Sequence, residues 1–288
     1  MPAPAQRLRL LAAVVTALFA ALALSACGTS SAAESSDKPL RILVSPTPHA
    51  EILKEVERSG LLGETKLEIS EISGDIDPNQ LLEAGDIDAN YFQHAPYLKS
   101  WSSDHKVDDL VNVAGVHVEP LGLYSEKVTD LLQTPSGSTV ALPNNPTNFA
   151  RGLFLLEKAG LISLDVKATD ADIDFAQIGE KNVVSNPHNL KFLQIDAPQL
   201  ANTLKDAKVN LSVINGNYAL EAGLNPAKDA LDLESATGNP YANTLTVKSG
   251  LKDDPRVQAL AKALESGEIA TWIDDKYNGS VIAVHAKG

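Results

Sequence analysis

The longest largely apolar run of the chain is Leu10 to Leu24, preceded by Arg7 and Arg9 and followed by Ser25, Ala26 and Cys27. It is shorter than the roughly 20 residues that a spanning helix requires. Two arginines, a short apolar core and a small-residue exit form a bacterial secretory leader. Cys27, the only cysteine, stands at that exit and makes it a lipoprotein leader. The expected chemistry is diacylglyceryl transfer to the Cys27 thiol, cleavage before it, and a lipid anchor on the extracytoplasmic face of the cell membrane. Residues 1–26 are then the signal peptide, and the small polar residues 27–38 a flexible tether.

Beyond the tether, short apolar runs alternate with stretches of helical spacing. Arg41 to Ser45 is a strand closed by Pro46-Thr47-Pro48, and His49 to Leu61 carries helical spacing at Ile52, Leu53 and Val56. Lys66 to Ile72 alternates as a strand does. Asp77-Pro78 opens a helix, with Asp as cap and Pro at the first helical position. Leu81 and Leu82 supply its buried face, Gly85 ends it, and Ile87 to Phe92 is the next strand. A second series follows, with strands at 138–142, 191–195 and 209–214 and helices at 146–159 and 197–204. Thr244 to Val247 reads as a strand returning to the first half, before helices at 255–264 and 268–275. This alternation predicts an α/β protein. The expected organisation is lobe I from residues 39–119 and 243–288, and lobe II from residues 120–242. Two crossings join them and leave a cleft that can close on a ligand.

A hydrophobic content of 44% supports an ordinary core. With Cys27 acylated, no thiol remains for a disulfide. Loss of Arg7 and Arg9 with a leader free of acidic residues takes the formal charge from −13 to −15. So acidic a surface disfavours nucleic acid and anionic membrane as direct partners.

Four segments carry candidate chemistry. In Pro143 to Arg151, Asn145 fits a helix cap and Pro146 the first helical position, which puts Asn148 and Arg151 on one face of the first turns. Free N–H groups and a guanidinium there suit a carboxylate, although a surface arginine on an ordinary capped helix has the same spacing. In Gly85 to Tyr97, the residues Tyr91, Phe92, His94 and Tyr97 cluster at a strand end in a chain only 5% aromatic. They suit a wall for an apolar side chain or plain core. Asn215, where an apolar strand ends, and Asn243, at the second crossing, can each donate and accept; both also suit turns.

Signatures of catalysis are missing: no Gly-x-Ser-x-Gly, P-loop, paired-glycine dinucleotide fingerprint or His-Glu-x-x-His. The expectation is a protein that is not an enzyme and needs no cofactor. His49, His94, His105, His117, His188 and His285 are scattered without ligand-like spacing, so no metal site is assigned.

Taken together, these segments resemble the NlpA/MetQ family of methionine-binding lipoproteins, the substrate-binding subunits of methionine ABC importers. The strings that carry the resemblance are Gly85 to Leu98, Pro143 to Asn148 with Arg151, Ala197 to Leu200, Val213 to Asn215, Asn225 to Asp229, and Pro240-Tyr241 with Asn243. The resemblance implies a two-lobed, type II periplasmic-binding-protein-like fold with methionine in the cleft. It implies that Arg151 holds the ligand carboxylate, that Asn148, Asn215 and Asn243 bind the amino-acid head group, and that Tyr91, Phe92, His94 and Tyr97 border the thioether. The implied partners are L-methionine, an ABC permease with its ATPase subunit, and a membrane reached through the Cys27 lipid. D-methionine, a methionine dipeptide or another small amino acid are the alternative ligands, with a metal ion a weaker one.

Overall fold

The computed structural model describes residues 38–74, 76–170 and 172–286. The expected leader and Cys27 lie outside the described residues. In chain order the first part forms β1 (Leu40–Val44), α1 (Glu51–Ser59), β2 (Leu67–Glu71), α2 (Pro78–Ala84), β3 (Ala89–His94), α3 (Ala95–His105) and β4 (Leu110–Val118). The middle part forms β5 (Gly122–Tyr124), β6 (Thr139–Pro143), α4 (Pro146–Lys158), a small pair β7 (Ser163–Leu164) and β8 (Val183–Ser185), β9 (Lys191–Ile195), β10 (Leu211–Ile214), α5 (Gly216–Glu221), α6 (Pro226–Asp229) and β11 (Asp232–Leu233). The last part forms β12 (Asn243–Lys248), α7 (Pro255–Leu264), α8 (Gly267–Tyr277) and β13 (Ile282–Ala283).

Two main sheets result. One has the order β13-β4-β12-β3-β1-β2 and the other β11-β5-β10-β6-β9. β1 runs parallel to β2 and β3, whereas β12 lies antiparallel between β3 and β4. The chain passes between the sheets twice, at residues 119–121 and again at 234–242. Among the described residues, no helix is long and apolar enough to cross a membrane.

Each sheet has its own core. Leu40, Ile42 and Val44 of β1 pack with Ile52, Leu53 and Val56 of α1 and with Leu260 and Ile273 of the C-terminal helices. Val140, Leu142, Leu211 and Val213 pack with Leu153 and Leu156 of α4 in the second sheet. Every residue of β10 is buried, as a strand covered on both faces should be. Each such leucine or valine contributes about 1.5–3 kcal/mol of transfer free energy.

Helix starts follow capping chemistry. Asp77 accepts from the N–H groups of Asn79 and Gln80, and Pro78 fills the first helical position. The expected helix over 197–204 is instead a 3₁₀ segment, Ala197–Lys205. There Gln199 N–H bonds the Asp196 carbonyl at 2.8 Å, and the Thr203 hydroxyl takes the Leu200 carbonyl at 2.6 Å. A hydroxyl that bonds a carbonyl three residues back competes with the α-helical ladder.

Candidate ligand-binding site

The site grows from two helix starts and a strand end. Asn145 caps α4 by accepting the N–H groups of Thr147 and Asn148, and Pro146 follows it, so Asn148 and Arg151 share the buried face of the first turns. Asn215 stands at the N-terminus of α5. His94 ends β3 and caps α3, its Nδ1 accepting the Tyr97 N–H at 3.1 Å.

That cap fixes the His94 tautomer. With Nδ1 accepting, Nε2 carries the proton and donates to Asn148 Oδ1 at 3.2 Å. Asn148 Oδ1 also accepts from Asn215 Nδ2 at 3.3 Å. Among the described residues this leaves Asn148 Nδ2 without a protein partner, and Asn215 Oδ1 is buried without one. Burial, with the nearby Arg151 charge, drives the His94 pKa down to about 3, so the ring is neutral at physiological pH.

Arg151 is 3% exposed. Its Nε donates to both Glu234 carboxylate oxygens at 2.9 and 3.0 Å, and its Nη2 to Glu234 Oε2 at 2.5 Å and to the Glu119 carbonyl at 2.8 Å. The guanidinium lies 4.5 Å from the centre of the Tyr241 ring. Burial, the largest single influence, lowers its pKa, but the charge and hydrogen bonds of Glu234 with smaller contributions from Tyr241 and Glu119 together outweigh it, and the net direction is upward. Nη1 makes no hydrogen bond among the described residues. The Tyr241 hydroxyl is likewise buried and unpartnered.

An aromatic wall stands beside these groups. Phe92 meets Tyr97 edge to face at 5.8 Å, and His94 meets Tyr241 at 5.0 Å. A groove of about 340 Å³ opens just outside, lined by Ala95, Pro96, Lys99, Ile173, Phe175 and Pro240. Tyr91 points elsewhere. It is fully buried, its ring contacts are His49 and His117, and its hydroxyl lies 2.5 Å from His117 Nδ1. Asn243 is buried and its Oδ1 faces His49 Nε2 at 3.1 Å. The structure thus gathers Phe92, His94, Tyr97, Asn148, Arg151 and Asn215 into one neighbourhood, with Tyr91 and Asn243 turned toward a histidine cluster behind it.

A guanidinium at a helix start, an unpartnered amide oxygen and an aromatic wall are groups of the kind that suit a small zwitterion with an apolar tail. The model of the family described as NlpA lipoprotein matches residues 40–285. The chain belongs to the NlpA lipoprotein family. It is 40% identical over 264 residues to the methionine-binding lipoprotein MetQ of Bacillus subtilis strain 168, covering 91% of this chain and 93% of that protein. A nutrient binding protein from Burkholderia cenocepacia, solved bound to methionine, superposes with a TM-score of 0.77 at 36% identity, covering 85% of this chain and 99% of that one. The periplasmic substrate-binding protein of an ABC transporter from Coxiella burnetii matches with a TM-score of 0.77 at 35% identity, over 85% and 100% of the two chains. The α/β architecture of this NlpA lipoprotein is that of these substrate-binding proteins.

Glu234 and Glu119 belong to this neighbourhood and were not among the site residues expected from sequence. Glu234 sits on the second passage between the sheets, and its only sequence signal is an acidic residue in an otherwise neutral linker, Ser235 to Asn243. Glu119 is fully buried; burial raises its pKa, while the His49 and Arg151 charges pull it down.

Proposed function

We propose that this NlpA lipoprotein captures methionine between its two lobes and hands it to an ABC importer. The observation that carries the reading is the set of unspent polar groups at one buried place: Arg151 Nη1, Asn148 Nδ2 and Asn215 Oδ1. The first two are donors and suit the ligand carboxylate; the third is an acceptor and suits its ammonium. Asn243, at the start of β12, adds a third amide, whose Oδ1 faces His49 and whose Nδ2 is left for the ligand. Phe92, Tyr97 and His94 border the side chain, and a thioether against ring edges is a favourable contact. Tyr91 is turned to His49 and His117 and takes no part in this wall.

Capture then proceeds by entry between lobe I (39–119, 243–288) and lobe II (120–242), closure, docking on the permease and release. No bond of the ligand is made or broken. Cys27 holds the protein to the membrane through its lipid.

The test is calorimetry of the purified chain, unfolded and refolded to strip bound ligand, with L-methionine, D-methionine and Gly-Met in parallel. Saturable binding of L-methionine at one site is the expected result. Saturation by Gly-Met or D-methionine alone would shift the substrate, and silence with all three would overturn the reading.

A further inference from the structure

Two of the six histidines scattered through the sequence meet in space. His49, from the loop after β1, and His117, near the end of β4, bring their ring centres to 4.9 Å. Glu119 places Oε1 2.8 Å from His117 Nε2 and 3.3 Å from His49 Nε2. One donor atom from each residue lies within 4.8 Å of the others, and all three residues are buried. We propose that His49, His117 and Glu119 bind one divalent cation of the zinc class, at a site distinct from the amino-acid pocket and independent of its ligand.

Donor chemistry selects the ion. Two imidazoles and one carboxylate suit a borderline cation such as zinc rather than calcium or magnesium, which take oxygen cages. Tetrahedral ligands at about 2.0–2.1 Å from zinc stand roughly 3.3 Å apart. The observed 3.3 Å already fits, the 2.8 Å contact needs a small opening, and the two imidazole donors, within 4.8 Å of each other, close toward the ion.

The surroundings orient the ligands. Tyr91 OH holds His117 at Nδ1, which leaves Nε2 for the metal. Glu119 Oε2 accepts the Asn217 N–H at 3.2 Å. A Cβ on Gly216 would fall 2.9 Å from Glu119 Cβ, so the start of α5 seals the site from the second sheet.

Charge points the same way. Among the described residues, no lysine or arginine forms an ion pair with Glu119. Arg151 bonds Glu119 only at its backbone carbonyl; its charge is paired with Glu234 and acts on the Glu119 carboxylate without contact. A buried carboxylate without a cation of its own is costly, and a divalent ion supplies the missing charge. Binding moves the proton of each neutral imidazole from Nε2 to Nδ1, where on His117 the Tyr91 oxygen can accept it.

The test uses the untagged full chain in detergent, stripped with a chelator. It is titrated with zinc chloride by calorimetry and with cobalt chloride followed by visible absorption. One equivalent of zinc and a tetrahedral cobalt spectrum are expected. His49→Gln and Glu119→Gln should each weaken zinc at least tenfold, while His105→Gln, at an exposed position, leaves it unchanged. Circular dichroism confirms that each variant is folded; should Glu119→Gln not fold, His49→Gln and the wild-type spectrum decide. Absence of stoichiometric uptake by the wild-type chain, or equal uptake by the folded variants, overturns the proposal. The outcome does not depend on methionine, so either result leaves the amino-acid site to its own test.

Discussion

Replacing Arg151 by alanine separates its two jobs, holding Glu234 and receiving the ligand. Loss of one member of a buried pair costs about 3–5 kcal/mol, because the other charge stays behind uncompensated. The Glu234 side chain keeps 16% exposure and the Leu121 N–H at 3.2 Å, so water and one donor soften the loss. The lower end, about 3 kcal/mol, therefore applies. For a chain of this size that is a fall of roughly 6–12 °C in melting midpoint. Arg151→Ala/Glu234→Ala removes both charges and should be less destabilised than the two single losses added together, with a coupling of at least about 1 kcal/mol. Ligand affinity should divide differently. Arg151→Ala loses the cation that meets the ligand carboxylate, for about 3 kcal/mol or a hundredfold in affinity. That exceeds the effect of Phe92→Ala, which removes only apolar contact. Glu234→Ala leaves the guanidinium on the Glu119 carbonyl and over Tyr241, and should bind methionine within a few-fold of wild type. Thermal melts by circular dichroism on wild type, the two single variants and the double variant, and methionine calorimetry on these and Phe92→Ala, read both quantities. Additive stabilities within about 0.5 kcal/mol, or near-native affinity in Arg151→Ala, would refute the reasoning.

Three further outcomes are expected. His49, His94 and His117 have pKa values lowered by burial to about 4, 3 and 3 from the ordinary 6.5, so between pH 6.5 and 4 the unfolded chain binds more protons. Stability should therefore fall as pH drops through that window. The raised Glu119 acts in the opposite sense, and urea midpoints measured across the window that stay flat would show that the two contributions cancel or that the rings are charged in the fold. Gly216→Ala forces a Cβ to within 2.9 Å of Glu119 Cβ, and overpacking of this kind costs about 1–3 kcal/mol; an unchanged chemical-denaturation midpoint would mean that α5 shifts freely. Asp77→Ala removes the cap of α2 and the acceptor of Trp101 Nε1 at 2.8 Å. It should cost about 1–2 kcal/mol, visible as a lower melting midpoint with methionine affinity intact.

Local chemistry was legible in the sequence, and long-range pairing was not. Asp77-Pro78, Asn145-Pro146 and Pro255 each mark a helix start with adjacent residues, and the helices begin there. The strand expected over 87–92 begins instead at Ala89. Asp88 is tied up by Arg41, whose carbonyl takes its N–H and whose guanidinium takes its carboxylate, so Ile87 and Asp88 form a turn. β4 carries Gly115 and the polar Asn112 and His117 inside its apolar alternation, and escaped reading for that reason. Among the described residues the Asn112 side-chain oxygen accepts only from the hydroxyls of Thr244 and Thr246, far along the chain. The helix-start half of the site was visible because capping acts over three residues. The clasp of Arg151 by Glu234 spans 83 positions, and no local spacing encodes it.

The place of β12 has a consequence for how the molecule is made. Every strand of the second sheet lies between Gly122 and Leu233, so that sheet is complete once those residues have been synthesised. The first sheet is not. Its interior strand is Asn243–Lys248, and until that strand arrives β3 and β4 have bare edges where they will later be bridged. A chain emerging from its N-terminus can close its middle before its first sheet, and leaves β3 and β4 unbridged until nearly the last residues have been added.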